Sequence, residues 1–411
     1  MSKLIVIGGG AAGMMAASLA AGRGIEVVLV EKNEKLGKKV YITGKGRCNL
    51  TNNCEATDFF KNVISNPKFL YSSVYGFTPA DTMEYFEALG LRLKTERGNR
   101  VFPQSDHSSD VNKYLEKDLR AKGVGILLGT KVESLLIEDY VCRGVKLSDG
   151  TCLTGDYVFV ATGGLSYPST GSDGDGYRFA EGCGHKVTRL LPSLVSVRIA
   201  EHYVKDMEGL ALKNVMLSAI NGKKTVFSEM GELVFTGEGI SGPLVLTLSS
   251  LIADMVSKGS ELRLEIDLKP ALDEAQLDAR ILRDFDENRN KNFGNVLPKL
   301  LPASMVPVMA GLCNIATDRQ INSISKAERT TLVNMVKKFP LTVTRLGGYD
   351  EAVVTKGGVD VRGINPATME SKQISGLHFI GEVLDVDALT GGYNLQIAWS
   401  TAHAAAMSLE V

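Results

Sequence analysis

The chain has 411 residues, 44% of them hydrophobic, and this length predicts two or three domains that can each bury a core. The 46 basic and 47 acidic side chains leave a formal net charge of -1, so the broad positive field typical of nucleic-acid-binding proteins is missing. The six cysteines form no C-x-x-C pair, and no uncharged apolar run reaches the roughly 18 residues of a membrane span. Without a signal peptide either, we expect a reduced, cytoplasmic protein with no nucleic-acid or membrane partner.

The first 31 residues predict a strand, a turn, a helix and a second strand. Lys3–Ile7 is a short apolar run, as in a parallel strand buried on both faces. Small apolar residues at Ala11–Ala21 predict a helix, and Glu26–Val30 predicts a second buried strand. This is the context that a dinucleotide-binding glycine turn requires, and the turn is Gly8-x-Gly10-x-x-Gly13.

Further along the chain, the patterns predict two helices and then a small antiparallel meander that leads back to the main sheet. The helices are Ala80–Leu89 and Asp110–Lys122, with Asp110 as the N-cap of the second. The meander strands are Val124–Leu128, Lys131–Ile137, Arg143–Leu147 and Asp156–Thr162.

The character of the sequence changes near Pro192, where short antiparallel strands are predicted. They are Val195–Ile199, Val215–Ile220, Lys224–Phe227, Gly231–Phe235 and Leu262–Asp267. Residues 273–339 are predicted as charged helices broken by prolines, and residues 342–355 as strands. An apolar strand at Leu377–Ile380 then leads into a helix at Leu395–Ser408.

The first chemical motif, which we call the first turn, is Gly8–Gly13 together with Glu31. Gly8 permits the tight turn, Gly10 lets the backbone approach a pyrophosphate, and Gly13 allows close packing of helix on strand. The helix N-terminus offers free N–H groups to phosphates. Glu31 would accept hydrogen bonds from an unphosphorylated ribose, which favours FAD or NAD(H) over NADP(H). The alternative is a glycine-rich turn without a ligand.

The second motif, the basic loop, is Gly37–Asn49, where three lysines, one arginine and three glycines lie close together. Glycines expose backbone N–H groups, and Lys and Arg neutralise phosphate charge. The alternative is an ordinary solvated loop. The third motif is Ala161–Gly164 at the end of a buried strand, for which the alternative is a plain strand-to-loop turn. The run Thr170–Gly176 that follows lacks the closing acid of a calcium loop, so no metal site is predicted.

The fourth motif, the C-terminal block, is Gly381–Gln396. A strand delivers Gly381 and Glu382 to its C-terminal edge, where an acid can hold the ribityl hydroxyls of a flavin. The glycines Gly391-Gly392 open a helix whose N-terminus can stabilise negative charge on a reduced flavin. The alternative is a plain strand–helix pair.

Together these motifs resemble the bacterial FAD-dependent oxidoreductases of the aminoacetone-oxidase and BaiN type, a branch of the glutathione-reductase-like flavoproteins. The resemblance covers the chain from end to end. One departure is Ala388, where the family pattern predicts glycine, and the role of Asp387 depends on that loop. The segments that carry the resemblance are Gly8–Gly13, Thr43–Asn52, Phe102-Pro103, Ala161–Gly164, Val354–Val359, Gly381–Asp387 and Gly391–Gln396.

The resemblance implies an α/β fold: a two-dinucleotide-binding-type FAD domain with a Rossmann-like parallel sheet, an inserted β-barrel and a small helical subdomain. It implies a discontinuous FAD domain at 1–192 and 352–411, a barrel substrate domain at 193–272 and 340–351, and the helical subdomain at 273–339. The implied FAD contacts are Gly8, Gly10, Ala11, Ala12, Gly13, Glu31, Lys32, Lys39, Thr43, Gly44, Gly46, Arg47, Cys48, Asn49, Val132, Ala161, Thr162, Gly163, Gly164, Gly381, Glu382, Asp387, Gly392, Tyr393, Asn394 and Leu395.

The activity implied by the resemblance is hydride transfer between FAD and a small organic substrate. Family members act on an amino-ketone with oxygen as acceptor or on a steroid-type enone, so an oxygen-using oxidase is the alternative. The sequence has no second glycine turn after a strand. A dedicated NAD(P)H domain is therefore not expected, and NAD(P)H would act only as a transient reductant.

Two further functions compete with this interpretation. A thiol–disulfide reductase would use Cys48 and Cys54, but five residues separate them, one more than the related redox pairs have. An RNA-associated flavoprotein would share the first turn, but the neutral charge argues against it. Catalytic residues stay open: Tyr167, His107, His202 and Tyr393 are candidates, and a flavin enzyme that needs no acid or base is the alternative. We also expect Tyr393 and Asn394 to line the flavin edge.

Overall fold

The computed structural model describes residues 2–411, which form two compact units. Unit 1 contains the residues up to Ser193 together with Tyr349–Val411, and unit 2 is Leu194–Gly348. The predicted threefold division of the chain, with a separate helical subdomain, stays a proposal.

The helices and strands follow one another along the chain in three groups. The first part of unit 1 contains β1 Lys3–Ile7, α1 Ala11–Gly22, β2 Glu26–Val30, α2 Lys38–Ile42, β3 Thr51–Asn52, α3 Ala56–Phe59, α4 Tyr71–Gly76, α5 Pro79–Ala88, β4 Leu93–Glu96, β5 Arg100–Pro103, α6 Ser108–Ala121, β6 Gly125–Leu127, β7 Val132–Glu138, β8 Val141–Leu147, β9 Cys152–Thr154, β10 Tyr157–Val160, α7 Asp175–Gly182 and β11 Leu191–Ser193. Unit 2 contains β12 Val197–Ile199, β13 Ala211–Asn221, β14 Lys224–Thr236, β15 Gly239–Ser241, α8 Pro243–Ser257, β16 Leu262–Asp267, α9 Glu274–Asp286, α10 Phe293–Val296, α11 Met305–Cys313, α12 Lys326–Lys337 and β17 Phe339–Leu346. Unit 1 resumes with β18 Val354–Lys356, β19 Leu377–Phe379 and α13 Tyr393–Ser408.

A five-stranded parallel sheet of order β19-β10-β1-β2-β6 forms the centre of unit 1. Its middle strand is β1, whose residues Leu4, Ile5 and Val6 have no exposed surface. Strands buried on both faces need the continuous apolar runs that the sequence has in this region. The carboxyl ends of β1, β10 and β19 lead into the first turn, the Ala161–Gly164 segment and the C-terminal block, so the sheet brings three of the four motifs to one edge.

Helix α1 packs on α13, which joins the two ends of the chain. The small side chains of α1 permit this close approach. The inner face of α13 is polar yet fully buried: Gln396 accepts hydrogen bonds from Thr51 Oγ1 at 2.6 Å and Thr82 Oγ1 at 2.9 Å. Trp399 Nε1 donates to the Leu50 carbonyl at 2.9 Å. These bonds fix the helix against β3 and α5.

Unit 2 is built on a closed barrel of order β12-β15-β14-β13-β16-β17. Its interior is filled by apolar side chains such as Leu217, Phe235 and Ile266, so the barrel is a packed core.

In unit 1, Val124–Leu128 was predicted in the antiparallel meander, but its strand β6 extends the parallel sheet beside β2, and the predicted N-cap Asp110 lies inside α6, whose N-cap is His107. In unit 2 the structure differs from the sequence expectation in two further places. Lys224–Thr236 is one long strand where two were predicted, and helix Pro243–Ser257 was not predicted. Among residues 2–411, no helix is both long enough and apolar enough to cross a bilayer.

Candidate functional site

The first turn is shaped by main-chain packing. Gly8 has φ +104°, and a Cβ there would lie 2.6 Å from the Ala161 carbonyl oxygen. A Cβ on Gly13 would lie 1.9 Å from the Gly8 oxygen, whereas one on Gly10 would meet nothing within 4 Å. The N-terminus of α1 is therefore backed tightly by Ala161 and open on the side of Gly10. This arrangement fits a pyrophosphate.

Glu31 braces this turn from the end of β2. Its Oε2 accepts from the Gly9 N–H at 2.7 Å, and its Oε1 accepts from the main chain and the side chain of Asn33 at 2.8 and 2.7 Å. The segment before Val132 runs alongside, because the Thr130 N–H donates to the Glu31 carbonyl at 3.0 Å. Oε2 keeps a lone pair that a ribose hydroxyl could use, whereas Oε1 already accepts two hydrogen bonds.

Lys32, expected to contact FAD, is held by acids of the Thr170–Gly176 run. Its ammonium lies 2.5 Å from Asp173 Oδ1 and 3.0 Å from Asp175 Oδ2. These acids are thus paired with a lysine. In the part of the chain that the structure describes, no three His, Cys, Asp or Glu side chains group as metal ligands would.

A charged network joins the basic loop, the Ala161–Gly164 region and the C-terminal block. Lys39 Nζ donates to Ser166 Oγ at 2.5 Å and to Glu382 Oε2 at 2.6 Å, and Ser166 Oγ donates to Glu382 Oε1 at 2.6 Å. The Thr355 N–H also donates to Glu382 Oε1 at 3.0 Å. Thr355 Oγ1 in turn accepts the N–H groups of Leu165 and Ser166. We call this the Lys39–Glu382 network.

The sequence patterns did not single out Ser166 and Thr355. The segment Val354–Val359 was part of the resemblance, so a signal for Thr355 existed without a role attached to it. The first turn and the C-terminal block also approach each other closely, since a Cβ on Gly381 would lie 2.9 Å from Ala12 Cβ. The structure therefore gathers residues that are remote in sequence into one site.

Arg47 does not have a free guanidinium for a phosphate in this structure. Its Nε donates to Asp106 Oδ1 at 2.8 Å, and its Nη2 donates to Glu96 and Asp106 at 2.5 Å. The group also stacks 4.2 Å from the centre of the Phe102 ring. The expected neutralisation of phosphate by this loop thus has to come from its backbone N–H groups or from its other cations. Thr43 is likewise engaged locally, since its Oγ1 donates to the Val40 carbonyl at 2.7 Å.

The two cysteines proposed as a redox pair are free thiols, and their surroundings favour the protonated form. Burial raises the pKa of Cys48 to about 12 and the pKa of Cys54 to about 11. Nucleophilic thiols need a lowered pKa. This geometry argues against the thiol–disulfide reductase. Cys48 is also completely enclosed, so its side chain has no surface to offer a cofactor.

Asn394 holds a loop of its own chain. Its Oδ1 accepts from the Ala388 N–H at 2.9 Å, and its Nδ2 donates to the Ala388 carbonyl at 2.7 Å. The amide is thus engaged by the loop, and its position at the flavin edge stays a prediction. Ala388, the departure from the family pattern, has no positive φ, so its backbone needs no glycine.

Asp387 lies in this loop with no exposed surface, and neither carboxyl oxygen completes a hydrogen bond of normal geometry within residues 2–411. Burial raises the pKa of this carboxyl, although the hydroxyls of Ser65 and Ser193 and the charge of Lys356 act in the opposite direction. An enclosed side chain cannot contact a cofactor without movement of the loop. Asp387 is therefore better placed to shape the loop than to bind.

The remaining predicted residues divide by position. Gly392 is the N-cap of α13 with φ +99°, and Tyr393 and Leu395 lie in the first turn of that helix. Tyr167 follows Ser166 in a left-handed conformation of φ +52°. His107 is exposed before α6, and His202 is exposed in unit 2. Of the catalytic candidates, the two tyrosines are thus adjacent in sequence to the gathered motifs.

Comparison with known proteins gives several full-length matches. The chain is 33% identical over 410 residues to 3-dehydro-bile acid delta(4,6)-reductase of Clostridium scindens, covering 98% of each. It is 33% identical over 412 residues to the ribosomal RNA dihydrouridine synthase of Haemophilus influenzae, covering 99% of this chain and 98% of that one. Among solved structures, 3-ketosteroid delta1-dehydrogenase of Sterolibacterium denitrificans matches over 100% of both chains, with 14% identity and a TM-score of 0.53, which shows a shared fold.

The family profile described as the Rossmann domain of HI0933-like proteins matches residues 2–408. The family expected from the sequence is confirmed, and so is the α/β fold with its inserted barrel. The expectation of an FAD-dependent oxidoreductase is confirmed with it. The chain belongs to the HI0933-like family.

Proposed function

We propose that this enzyme is a reductase that uses FAD to add hydride to a carbon–carbon double bond conjugated with a carbonyl group. The names of both sequence relatives support this chemistry. Reduction of a delta(4,6) 3-oxo steroid and formation of dihydrouridine from uridine each saturate such a bond. Because the chain is 33% identical to each relative, the shared reaction is better supported than either substrate.

The observation that carries the proposal is the convergence of four separate motifs on one site. The first turn and the N-terminus of α1 would bind the pyrophosphate, and Glu31 would bind the adenosine ribose. The Lys39–Glu382 network would hold the ribityl chain, because the Glu382 carboxylate can accept hydroxyl hydrogens. The N-terminus of α13 would lie beside the ring system. Bound FAD would supply the hydride.

The chain's own groups would orient the cofactor and set the charge around it. The partial positive charge at the N-terminus of α13 favours negative charge near Gly392. Lys39 balances the Glu382 carboxylate, so this acid brings no net negative charge to the cofactor. Neither Lys39 nor Glu382 needs to exchange a proton during turnover. This fits a site in which no essential side-chain acid or base was identified.

An anaerobic experiment tests the proposal. The cofactor is released from one sample of the purified protein and identified as FAD by its mass. NADH and NADPH are then added separately to the intact protein while the flavin absorbance is followed. Bleaching by one of them would identify that nicotinamide as the electron donor, whose identity the proposal leaves open. Photoreduced protein is next mixed with a 4-en-3-one steroid or 2-cyclohexen-1-one. Reoxidation with formation of the saturated ketone supports the proposal.

The opposite result is equally clear. If the reduced protein ignores both enones, recovers its colour rapidly in air and is bleached by an amino-ketone, the oxidase alternative is correct.

A second candidate substrate is uridine in ribosomal RNA, favoured by the Haemophilus influenzae relative. The absence of a nucleic-acid partner stays a prediction, supported by the net charge of -1. Photoreduced protein is incubated with unmodified ribosomal RNA, and nucleosides are analysed by mass spectrometry for dihydrouridine. Its formation would refute the prediction. The cytoplasmic location also stays a prediction, and the six free cysteines support a reducing compartment.

A further inference from the structure

The basic loop contains a turn with an unusual run of left-handed residues. Gly44, Lys45 and Gly46 have φ of +57°, +58° and +84°, and Cys48 has +56°. Glycine adopts this region freely, but a lysine does not, since its Cβ crowds the following carbonyl. Strain of this kind at a non-glycine residue is concentrated at functional positions. Lys45 therefore holds a conformation that a third consecutive glycine would adopt more easily.

Lys45 is also the unpaired cation of the basic loop. The other cations, Lys38, Lys39 and Arg47, each contact a carboxylate. The Lys45 side chain is exposed, and no acceptor within residues 2–411 contacts its ammonium. Its charge is available to a ligand, unlike those of its neighbours.

The residues that neighbour the Gly44–Gly46 turn connect it to the candidate site. A Cβ on Gly44 would lie 3.0 Å from the Asn49 nitrogen, so the turn rests on Asn49. Asn49 Oδ1 is buried with no hydrogen-bond partner in the described chain. Two residues later the chain enters β3, where Asn52 Nδ2 donates to the Gly391 carbonyl at 3.0 Å. The segment that follows the turn therefore contacts the glycines that precede α13.

We propose that Lys45 is a substrate-orienting residue whose ammonium binds the carbonyl oxygen of the double-bond acceptor. The inference rests on the proposed function and names the group that recognises its substrate. When hydride adds to the β-carbon, the π electron pair moves toward the carbonyl and its oxygen becomes an enolate. A cation beside this oxygen stabilises the new charge. The α-carbon then takes a proton from water, which gives the saturated carbonyl compound.

The test separates strain from function with a small set of variants. Lys45→Gly removes both the charge and the unfavourable backbone, so its Tm is expected to rise by about 2 °C. Lys45→Arg keeps the charge. The matched control is Asp139→Gly, which relieves a left-handed residue of φ +47° in the β7–β8 hairpin. This control should gain stability and lose no activity.

Two measurements follow on these proteins with FAD bound. The first is the rate at which 2-cyclohexen-1-one reoxidises the photoreduced flavin. Lys45→Gly should be about tenfold slower, Lys45→Arg close to wild type, and added salt should slow wild type more than Lys45→Gly. The second is the dissociation constant of 4-hydroxybenzaldehyde as its phenolate, read from the change in the oxidised flavin spectrum. Lys45→Gly should bind this anion about tenfold more weakly.

The phenolate measurement needs no turnover, so it distinguishes failure of this inference from failure of the proposed function. If wild type does not reduce the enone but Lys45→Gly still weakens phenolate binding, the proposed reaction is wrong and the Lys45 anion contact stands. If Lys45→Gly matches wild type in both phenolate affinity and enone rate, the inference about Lys45 is overturned.

Discussion

The two glycine-rich turns of this molecule look alike in sequence but are required by different physics. In the first turn, Gly8 and Gly13 are needed because a Cβ would collide with the main chain at 2.6 Å or less. In the turn of the basic loop, Gly46 faces open space, and only its φ of +84° demands glycine. Gly13 is therefore required by packing alone and Gly46 by its torsion angle alone, whereas Gly8 combines a main-chain collision with a φ of +104°. A dense run of glycines does not say which of the two applies.

The largest effect is expected from Gly13→Ala. The new Cβ would lie 1.9 Å from the Gly8 oxygen, so the helix must shift, at a cost of about 3 kcal/mol, and FAD binding should be lost. Urea unfolding and FAD titration measure the two effects. Gly22→Ala, at the other end of α1, is the control and should retain FAD, because its Cβ meets only the flexible Lys122 side chain. Equal behaviour of the two variants would show that packing does not fix the first turn.

Glu382→Gln addresses the Lys39–Glu382 network, which joins the basic loop to the C-terminal block. The change leaves Lys39 without its counter-charge and removes a charged acceptor, so FAD affinity should fall about tenfold to a hundredfold. Fluorescence titration of the apoprotein with FAD measures this loss. Glu34→Gln is the matched control, since Glu34 pairs with the neighbouring Lys38 but is largely exposed. A similar loss in both variants would show that general charge, rather than the network, governs binding.

Gly46→Ala tests the torsional half of the comparison. The added methyl group has room, and the left-handed backbone should cost about 1 kcal/mol, well below the cost of Gly13→Ala. Gly46→Asn should cost less, because asparagine tolerates this region. Thermal unfolding ranks the variants. If asparagine is no better tolerated than alanine, the torsion angle is not the reason for glycine at this position.

The smallest effect is expected from Asp387→Asn, in the loop that precedes α13. Because the folded-state pKa of this buried carboxyl is raised, its contribution to stability is complete below the ordinary value near 3.8 and is lost as the pH rises through the raised value. The neutral amide should remove this loss, so the variant gains stability at about pH 8 and little at about pH 4. Tm measured against pH checks this. If the difference in Tm between wild type and variant did not change with pH, the prediction would be wrong.

Much of unit 1 could be predicted because its strands are short apolar runs beside glycines. Strands β1 and β2 were predicted residue for residue, and α5 and α6 within two residues. The helix Pro243–Ser257 could not be separated from a strand by its apolar pattern, although a proline at the first helical position after Gly242 is a typical helix start. The break expected after Phe227 was wrong, because polar residues on the exposed face of a long strand do not end it.

The site could be predicted at the level of motifs but less well at the level of side-chain partners. The glycine pattern indicated the first turn and Glu31, since main-chain geometry is local. The pairing of Arg47 with Glu96 and Asp106 depends on contacts across more than 40 residues, which no local pattern contains. For the same reason the role of Ser166, whose partners Lys39 and Glu382 are remote in sequence, emerged only from the fold.

The position of α13 has a consequence for biosynthesis. The central sheet of unit 1 needs β19, and its first helix needs α13, yet both leave the ribosome after the whole of unit 2. The nascent N-terminal segment must therefore wait, exposing apolar surface, while unit 2 can fold independently. The single tryptophan, Trp399, lies fully buried in α13, so its emission should report the late closure of unit 1 alone. Translation arrest before residue 393 would leave a chain without that closure.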